Sequence, residues 1–237
     1  MIKLSPSKLN LLNDCPLCFW KAYAAKVPKP RGIFPSLPGG MDRVIKGYFD
    51  MHRVSGILPM EVEGIIPAKT LLMSDLPLMN KWRNWRSGLT TYIEDLDVEL
   101  IGALDDCLVG EAGYMPLDYK TKGSKPKDSG VQYYQTQLDC YELMLNYNGY
   151  DTCGRSYLLY FYPIGGAAIE KDAIVQGEMA LNFGIELYEI ETDIDRALAL
   201  IEKAVKVRTS NKPPKANPDC EMCNYVSLSE ALKKGGK

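Results

Sequence analysis

The sequence predicts an α/β fold, a mixed central sheet with helices on both faces, and three stretches predict it. "DVELIGALDDCLVGEAGYMPLDYKT" (97–121) sets two apolar stretches around "GEAG" and reads as a strand, a turn and a second strand. "GVQYYQTQLDCYELMLNYNGY" (130–150) then places Tyr134, Leu138, Tyr141 and Leu145 on one helical stripe. "GRSYLLYFYP" (154–163) is a continuous apolar run of the kind buried on both faces of a sheet. Strands, a helix and a further strand in that order imply a sheet layered with helices.

The remaining elements follow in chain order. Near the amino end, Ser5 is placed to cap a helix carrying Leu9, Leu12 and Phe19 at helical spacing, and Pro16 breaks it into two short helices meeting at Cys15. "VPKPRGIFPSLPGG" (27–40) holds four prolines and three glycines and reads as a loop. "MDRVIKGYFDMHRVSG" (41–56) returns to a helical pattern ended by Gly56, and "VEGIIPAKTLLM" (62–73) is weakly strand-like. "LNFGIELYEIE" (181–191) gives another strand, and "TDIDRALALIEKAVKV" (192–207) a helix capped by Thr192.

At 237 residues, 46% hydrophobic and 24% charged, the chain has material for a substantial core, and we expect a single domain over 1–237. Its longest apolar run, residues 157–169, is too short for a bilayer, and the amino terminus lacks the apolar centre of a signal peptide. We therefore expect a cytoplasmic protein with no membrane partner. A net charge of −2 argues against a uniformly basic nucleic-acid binder. Local cation clusters remain, however: Lys120, Lys122, Lys125 and Lys127, and again Lys203, Lys206, Arg208, Lys212 and Lys215. Each is either a phosphate-binding strip or a solvated face.

The seven cysteines in such a chain are expected as reduced thiols. "CPLC" (Cys15, Cys18) and "CEMC" (Cys220, Cys223) are paired by spacing, whereas Cys107, Cys140 and Cys153 stand alone in apolar surroundings as core candidates. Two such pairs from opposite ends of the chain can clasp residues 1–27 to 210–237 around one metal centre, and four thiolates accept either a zinc ion or an iron–sulfur cubane.

On the hairpin, Asp105 and Asp106 are adjacent, so strand alternation sends them to opposite faces and only one can join Asp118 and Lys120, which share a face two residues apart. Two carboxylates and a lysine there suit divalent-metal hydrolysis of a phosphodiester, while an ordinary strand-end ion pair has the same spacing. Gln137 and Tyr141, four apart on the following helix, fall behind the strand that bears Lys120.

Gly102-x-x-Asp105, then Asp118-Tyr119-Lys120, then Gln137-x-x-x-Tyr141 resembles the PD-(D/E)XK nucleases, in particular the RecB-like branch. "SPSKLNLLNDCP" (5–16) and "NPDCEMCNY" (217–225) resemble that branch's opening and closing motifs. The members most similar by this pattern are the iron–sulfur ones, the CRISPR-associated RecB-like exonucleases and the nuclease modules of AddB-type proteins. Residues 28–96 and 150–210 have no clear correspondence. The resemblance implies a restriction-endonuclease-like core at about 97–165, and a catalytic Mg2+ or Mn2+ held by Asp105, Asp118 and the Tyr119 carbonyl. In the same way it implies that Lys120 positions water, that Gln137 and Tyr141 orient the site, and that Cys15, Cys18, Cys220 and Cys223 hold a 4Fe-4S cluster. It further implies exonuclease action on single-stranded DNA or DNA ends, in repair or CRISPR spacer processing, with a helicase or integrase as a separate partner chain. A catalytically silent nucleic-acid-binding or scaffold protein of the same fold is the alternative.

Two departures from the family stand out. Many members place a histidine ligand four residues after a glycine on the early helix. Counted from Gly39 or Gly40, that position is Arg43 or Val44 here, and the one histidine, His52, lies further on. Asp42 is either a substitute carboxylate or a helix-surface ion pair. The usual one-plus-three cysteine arrangement is also absent: no cysteine follows Cys223, and Cys18, at the amino end, is the expected replacement for the family's last one. Finally, "KWRNWRSG" (81–88) interleaves Trp82 and Trp85 with cations, either as a stacking platform for single strands or as half-buried anchors.

Overall fold

The computed structural model describes residues 1–30, 32, 36–164, 174–175, 178–179 and 181–235, so parts of the 27–40 loop and of the 157–169 apolar run lie outside the described residues. The chain forms two compact units, Met1–Ile33 with Tyr92–Ile101 and Asp195–Lys237, and Phe34–Thr91 with Gly102–Ile194.

The first unit is built from the two chain ends. β1 (Ile2–Leu4) leads into α1 (Pro6–Asp14) and α2 (Pro16–Tyr23), each with proline in its first turn, where the missing N–H costs no helical hydrogen bond. Ser5 is the α1 cap residue by position, although its hydroxyl meets Ser7 Oγ at 3.1 Å instead of a helix N–H. In the second unit come α3 (Ser36–Ser55), β2 (Leu71–Leu72) and α4 (Leu76–Arg83), then β3 (Leu89–Ile93), which runs into the first unit. β4 (Val98–Gly102) follows, and β1 pairs with it in parallel, Ile2 opposite Val98 and Leu4 opposite Leu100.

The second unit continues with β5 (Asp106–Gly110), β6 (Gly113–Thr121), α5 (Asp128–Gln132), α6 (Gln135–Tyr147) and β7 (Arg155–Pro163). A short pair, β8 (Ile174–Val175) and β9 (Glu178–Met179), precedes β10 (Phe183–Glu191). The first unit closes with α7 (Ile194–Thr209) and α8 (Glu221–Gly235).

The sheet of the second unit has the order β10-β7-β6-β5-β2 and is mixed: β6 runs parallel to β7, and the other pairs are antiparallel. One face carries Met115, Leu117, Tyr119, Tyr157, Leu159 and Phe161, which pack with Ile45 and Phe49 of α3. Asp118 and Lys120 alternate onto the opposite face, toward α6. This is the expected α/β architecture, a mixed sheet flanked by helices.

Three local expectations are corrected. α3 begins at Ser36, so the "SLPGG" end of the proline-rich stretch is helical, because a proline in a first turn needs no N–H partner. The strand expected across 97–110 is two strands: Ala103, Leu104 and Asp105 form a break between β4, which pairs with β1, and β5, which pairs with β6. α7 starts at Ile194, leaving Thr192 two residues outside it, buried, with no hydrogen bond to its hydroxyl among the described residues.

The break after β4 is held by a buried ionic cluster. Asp106, fully buried at the start of β5, accepts from Arg53 Nη2 at 2.6 Å on both oxygens and from Arg83 Nη2 at 3.0 Å. The Tyr119 hydroxyl (2.7 Å) and the Cys107 N–H (2.8 Å) also donate to it. Asp50 completes the ring, meeting Arg53 Nε at 3.2 Å and Arg83 Nη1 at 2.7 Å. Burial acts to raise the Asp50 carboxyl, but Arg83 and Arg53 hold it below its ordinary value. Replacing the Asp106 charge leaves two buried guanidiniums undercompensated, so Asp106→Asn should lose about 3–5 kcal/mol of stability in denaturant unfolding. Wild-type stability of that variant would show that the cluster does not hold the break.

Candidate active site

Asp105 occupies the break itself. Its backbone carbonyl accepts from Arg83 Nε at 2.8 Å, so the cluster that buries Asp106 also fixes the residue before it. The Asp105 carboxylate turns to the other side, where its Oδ2 accepts the Tyr119 N–H at 3.2 Å and its Oδ1 meets Lys46 Nζ at 2.8 Å. Asp118 comes from β6, its side chain 1% exposed, with Lys120 Nζ against its Oδ2.

α6 supports this pair. Gln137 Nε2 donates to Asp118 Oδ1 at 2.9 Å and to the Tyr141 hydroxyl at 2.6 Å, and Tyr141 donates in turn to the Ala103 carbonyl at 2.6 Å. One chain of hydrogen bonds therefore ties Asp118 to the backbone two residues before Asp105. Gly102 makes room for it: a Cβ there would stand 2.9 Å from the Tyr141 ring and 2.6 Å from Met144 Cε. Lys120 Nζ also reaches Gln137 Oε1 at 3.4 Å and lies 4.4 Å from the centre of the Tyr134 ring.

The sequence-derived set Asp105, Asp118, Lys120, Gln137 and Tyr141 is thus brought into one cluster. The Tyr119 side chain points the opposite way, to Asp106 and to Phe49, leaving only its backbone beside the site. Asp106 faces away from Lys120, as alternation predicts, although it heads a strand that begins after Asp105.

The electrostatics suit a divalent cation. Burial first, and then the charge of nearby Asp105, push the Asp118 carboxyl up to about 7 against the opposing pull of Lys120. Below that pH the folded chain holds a proton that its unfolded form gives up near pH 4, so this group destabilises the metal-free fold as pH rises through the window. A divalent cation held by Asp105 and Asp118 would supply the positive charge that favours the ionised Asp118. Burial opposes the charge on Lys120, but Asp118 and Asp105 keep its ammonium above the ordinary value, so it stays protonated. Hard oxygen donors beside a protonated lysine fit Mg2+ or Mn2+.

Three functional residues escape the sequence reading. Lys46 contacts Asp105 and also both Asp42 oxygens at 2.9 Å, which makes Asp42 part of an ion pair one helical turn away. Arg53 and Arg83 are the buried cations of the Asp106 cluster. Arg53 leaves a usable signal: Ile45, Phe49 and Arg53 follow one another at four-residue steps on the buried stripe of α3, and a cation on such a stripe needs an anion. His52 meets the Tyr48 ring edge-on at a centroid distance of 4.7 Å. Of the "KWRNWRSG" residues, Trp82 is buried against Tyr150 and Arg83 is engaged with Asp50 and Asp106, while Trp85 lies beyond the helix, 74% exposed, under Arg86.

The cysteines form a second centre, within the first unit. The sulfurs of Cys15, Cys18, Cys220 and Cys223 all lie within 4.8 Å of one another. Cys15 and Cys223 are 3.8 Å apart, Cys18 and Cys220 3.6 Å, and Cys18 and Cys223 3.5 Å. Pro16 starts α2 between the first pair, and the Asn217 side chain donates to the Asp14 carbonyl at 2.9 Å, joining the two ends of the chain beside the thiols. Burial acts against a Cys15 thiolate, but the N–H groups of Asn217 and Cys18 outweigh it and bring the thiol down to about 7. Four thiols so placed can hold a metal. Around one tetrahedral ion with metal–sulfur bonds of about 2.3 Å, sulfurs stand about 3.8 Å apart. A cubane spreads its four thiolates over four irons and holds them further apart. Cys107 and Cys140 are fully buried core residues, and Cys153 is partly buried.

The fold, the carboxylate pair with its lysine, and the cysteine clasp define a nuclease-type α/β protein. A family model described as the PD-(D/E)XK nuclease superfamily matches residues 41–228, and the chain belongs to that superfamily. A comparison with curated proteins returns no match. No helix among the described residues is long and apolar enough to cross a membrane.

Proposed function

We propose that this chain is a Mg2+- or Mn2+-dependent deoxyribonuclease of the RecB-like kind, hydrolysing phosphodiester bonds in single-stranded DNA or at DNA ends. The observation that carries the proposal is the convergence of Asp105, Asp118 and Lys120 in one cluster, in which burial and Asp105 push the Asp118 carboxyl up despite the adjacent Lys120 ammonium. Asp105, Asp118 and the Tyr119 carbonyl are the groups that would hold the ion, whose chemistry is Lewis-acid polarisation of the phosphate and acidification of a bound water. Lys120 positions the attacking water and meets charge developing on the phosphate oxygens. Gln137 fixes the Asp118 oxygen that it bonds, and Tyr141 fixes the Ala103 backbone, so both are positioning residues. Lys122 and Lys127, both exposed beyond β6, are offered as contacts to the DNA backbone. Lys125 serves less well because Glu186 pairs with it at 2.6 Å.

The setting that suits this activity is cytoplasmic DNA repair or CRISPR spacer processing, with a helicase or integrase supplied by another chain. A catalytically silent binding protein is the second reading, and the observation that favours it is Lys46, a cation lying on the metal-facing carboxylate Asp105.

For the cysteine clasp, the resemblance implies a 4Fe-4S cluster, while the sulfur separations favour one tetrahedral ion. We propose zinc, in a structural role.

Purified protein with end-labelled single- and double-stranded DNA is expected to cut in Mg2+ or Mn2+, and Lys120→Ala to lose about 100-fold or more in rate. No cleavage in either metal, or equal cleavage by the variant, contradicts the enzyme. Anaerobically purified protein is expected to be colourless with one zinc per chain. A brown preparation containing iron and acid-labile sulfide restores the cubane.

A further inference from the structure

Lys46 places an ammonium directly against the carboxylate of Asp105. It lies on α3, one turn after Asp42, and its ammonium bridges Asp42 and Asp105 at 2.8–2.9 Å. A lysine ammonium has three donors and no lone pair, so it cannot bind a metal. Its side chain is 19% exposed, and its partner Asp42 lines a cleft of about 310 Å3 together with Pro38, Gly39, Ile45, Tyr119 and Lys120.

The charges are informative. Asp42, Asp105 and Asp118 against Lys46 and Lys120 leave the ionised site with a net charge of −1. One divalent ion turns that into a single positive charge, the complement of a phosphodiester. With a neutral residue in place of Lys46, one divalent ion gives only a neutral site, and a second cation becomes necessary to attract the same anion.

We infer that Lys46 takes the electrostatic place of a second metal ion: the site binds one divalent cation between Asp105 and Asp118, and Lys46, steadied by Asp42, contacts a non-bridging oxygen of the substrate phosphate. This rests on the nuclease reading for its substrate. Asp42 has a defined part in it, since it gives the Lys46 ammonium a partner when a metal ion takes over Asp105. Lys46 then moves between two acceptors that it already bonds, without crossing a gap.

The test is a Mn2+ titration by electron paramagnetic resonance, together with binding of a phosphorothioate single-stranded oligonucleotide, on wild type, Lys46→Met and Lys46→Arg. The Asp118→Asn chain serves as the blank for Mn2+ bound elsewhere, and thermal melts check that each variant folds. Wild type is expected to take one Mn2+ above the blank with the oligonucleotide bound. Lys46→Met should bind the oligonucleotide about tenfold or more weakly at equal Mn2+, as expected for the loss of a charged hydrogen bond. Lys46→Arg should restore most of that affinity, and raising Mn2+ should restore part of it in Lys46→Met through a second ion. Two Mn2+ in wild type, or wild-type oligonucleotide affinity in Lys46→Met, overturns the inference. These titrations need no turnover, so they remain decisive for Lys46 even if the chain cuts no DNA.

Discussion

The nuclease-type site depends on one buried carboxylate that takes no part in its chemistry. Asp106 is fully enclosed and is neutralised by the guanidiniums of Arg53 and Arg83, with the Tyr119 hydroxyl completing its shell. Burying a charge this deeply is tolerable only with such partners, and the partners come from α3, α4 and β6. The cluster thereby fastens two helices to the strand that carries Asp118 and Lys120. Because Arg83 also holds the Asp105 carbonyl, the Asp105 carboxylate reaches the Tyr119 N–H and Lys46 without any support from a regular strand.

This explains which parts of the molecule are legible in the sequence and which are not. Alternation on β6 separates Asp118 and Lys120 from Leu117 and Tyr119, and helical spacing on α6 pairs Gln137 with Tyr141. Both are short-range patterns, and both hold. The cysteine pairs are legible because four thiols at two-residue spacing have few other uses. Contacts that join distant segments leave weaker traces. Lys46 looks like any lysine of an amphipathic helix, and nothing in its neighbourhood announces Asp105, about sixty positions later. Arg83 lies in a stretch whose tryptophans draw attention to nucleic acid, yet its role is to neutralise Asp106. The break at 103–105 is invisible because "VELIGALDDCLVG" keeps strand-like composition throughout; what interrupts it is tertiary, the Leu104 N–H bonding to the Trp82 carbonyl at 3.1 Å.

The two candidate metal centres follow opposite chemistry. Asp105 and Asp118 offer hard oxygens beside protonated lysines, donors that would suit an exchangeable Mg2+ or Mn2+. Cys15, Cys18, Cys220 and Cys223 offer four soft donors drawn together from the chain ends, which suits an ion that stays. A thiolate centre of this kind links segments about two hundred residues apart and removes much of the chain-end freedom that fraying would otherwise exploit. The carboxylate pair lies in the unit holding the mixed sheet, and the cysteine cluster in the unit holding the termini.

The central claim is that Asp105 and Asp118 together hold one divalent cation. Anomalous diffraction from crystals soaked in Mn2+ tests it most directly. The account predicts a single peak at about 2.2 Å from a carboxylate oxygen of each residue, with Lys46 withdrawn from Asp105 to Asp42. A site with Asp105 and Asp118 still occupied by the two lysine ammoniums, and manganese absent or bound elsewhere, would contradict it.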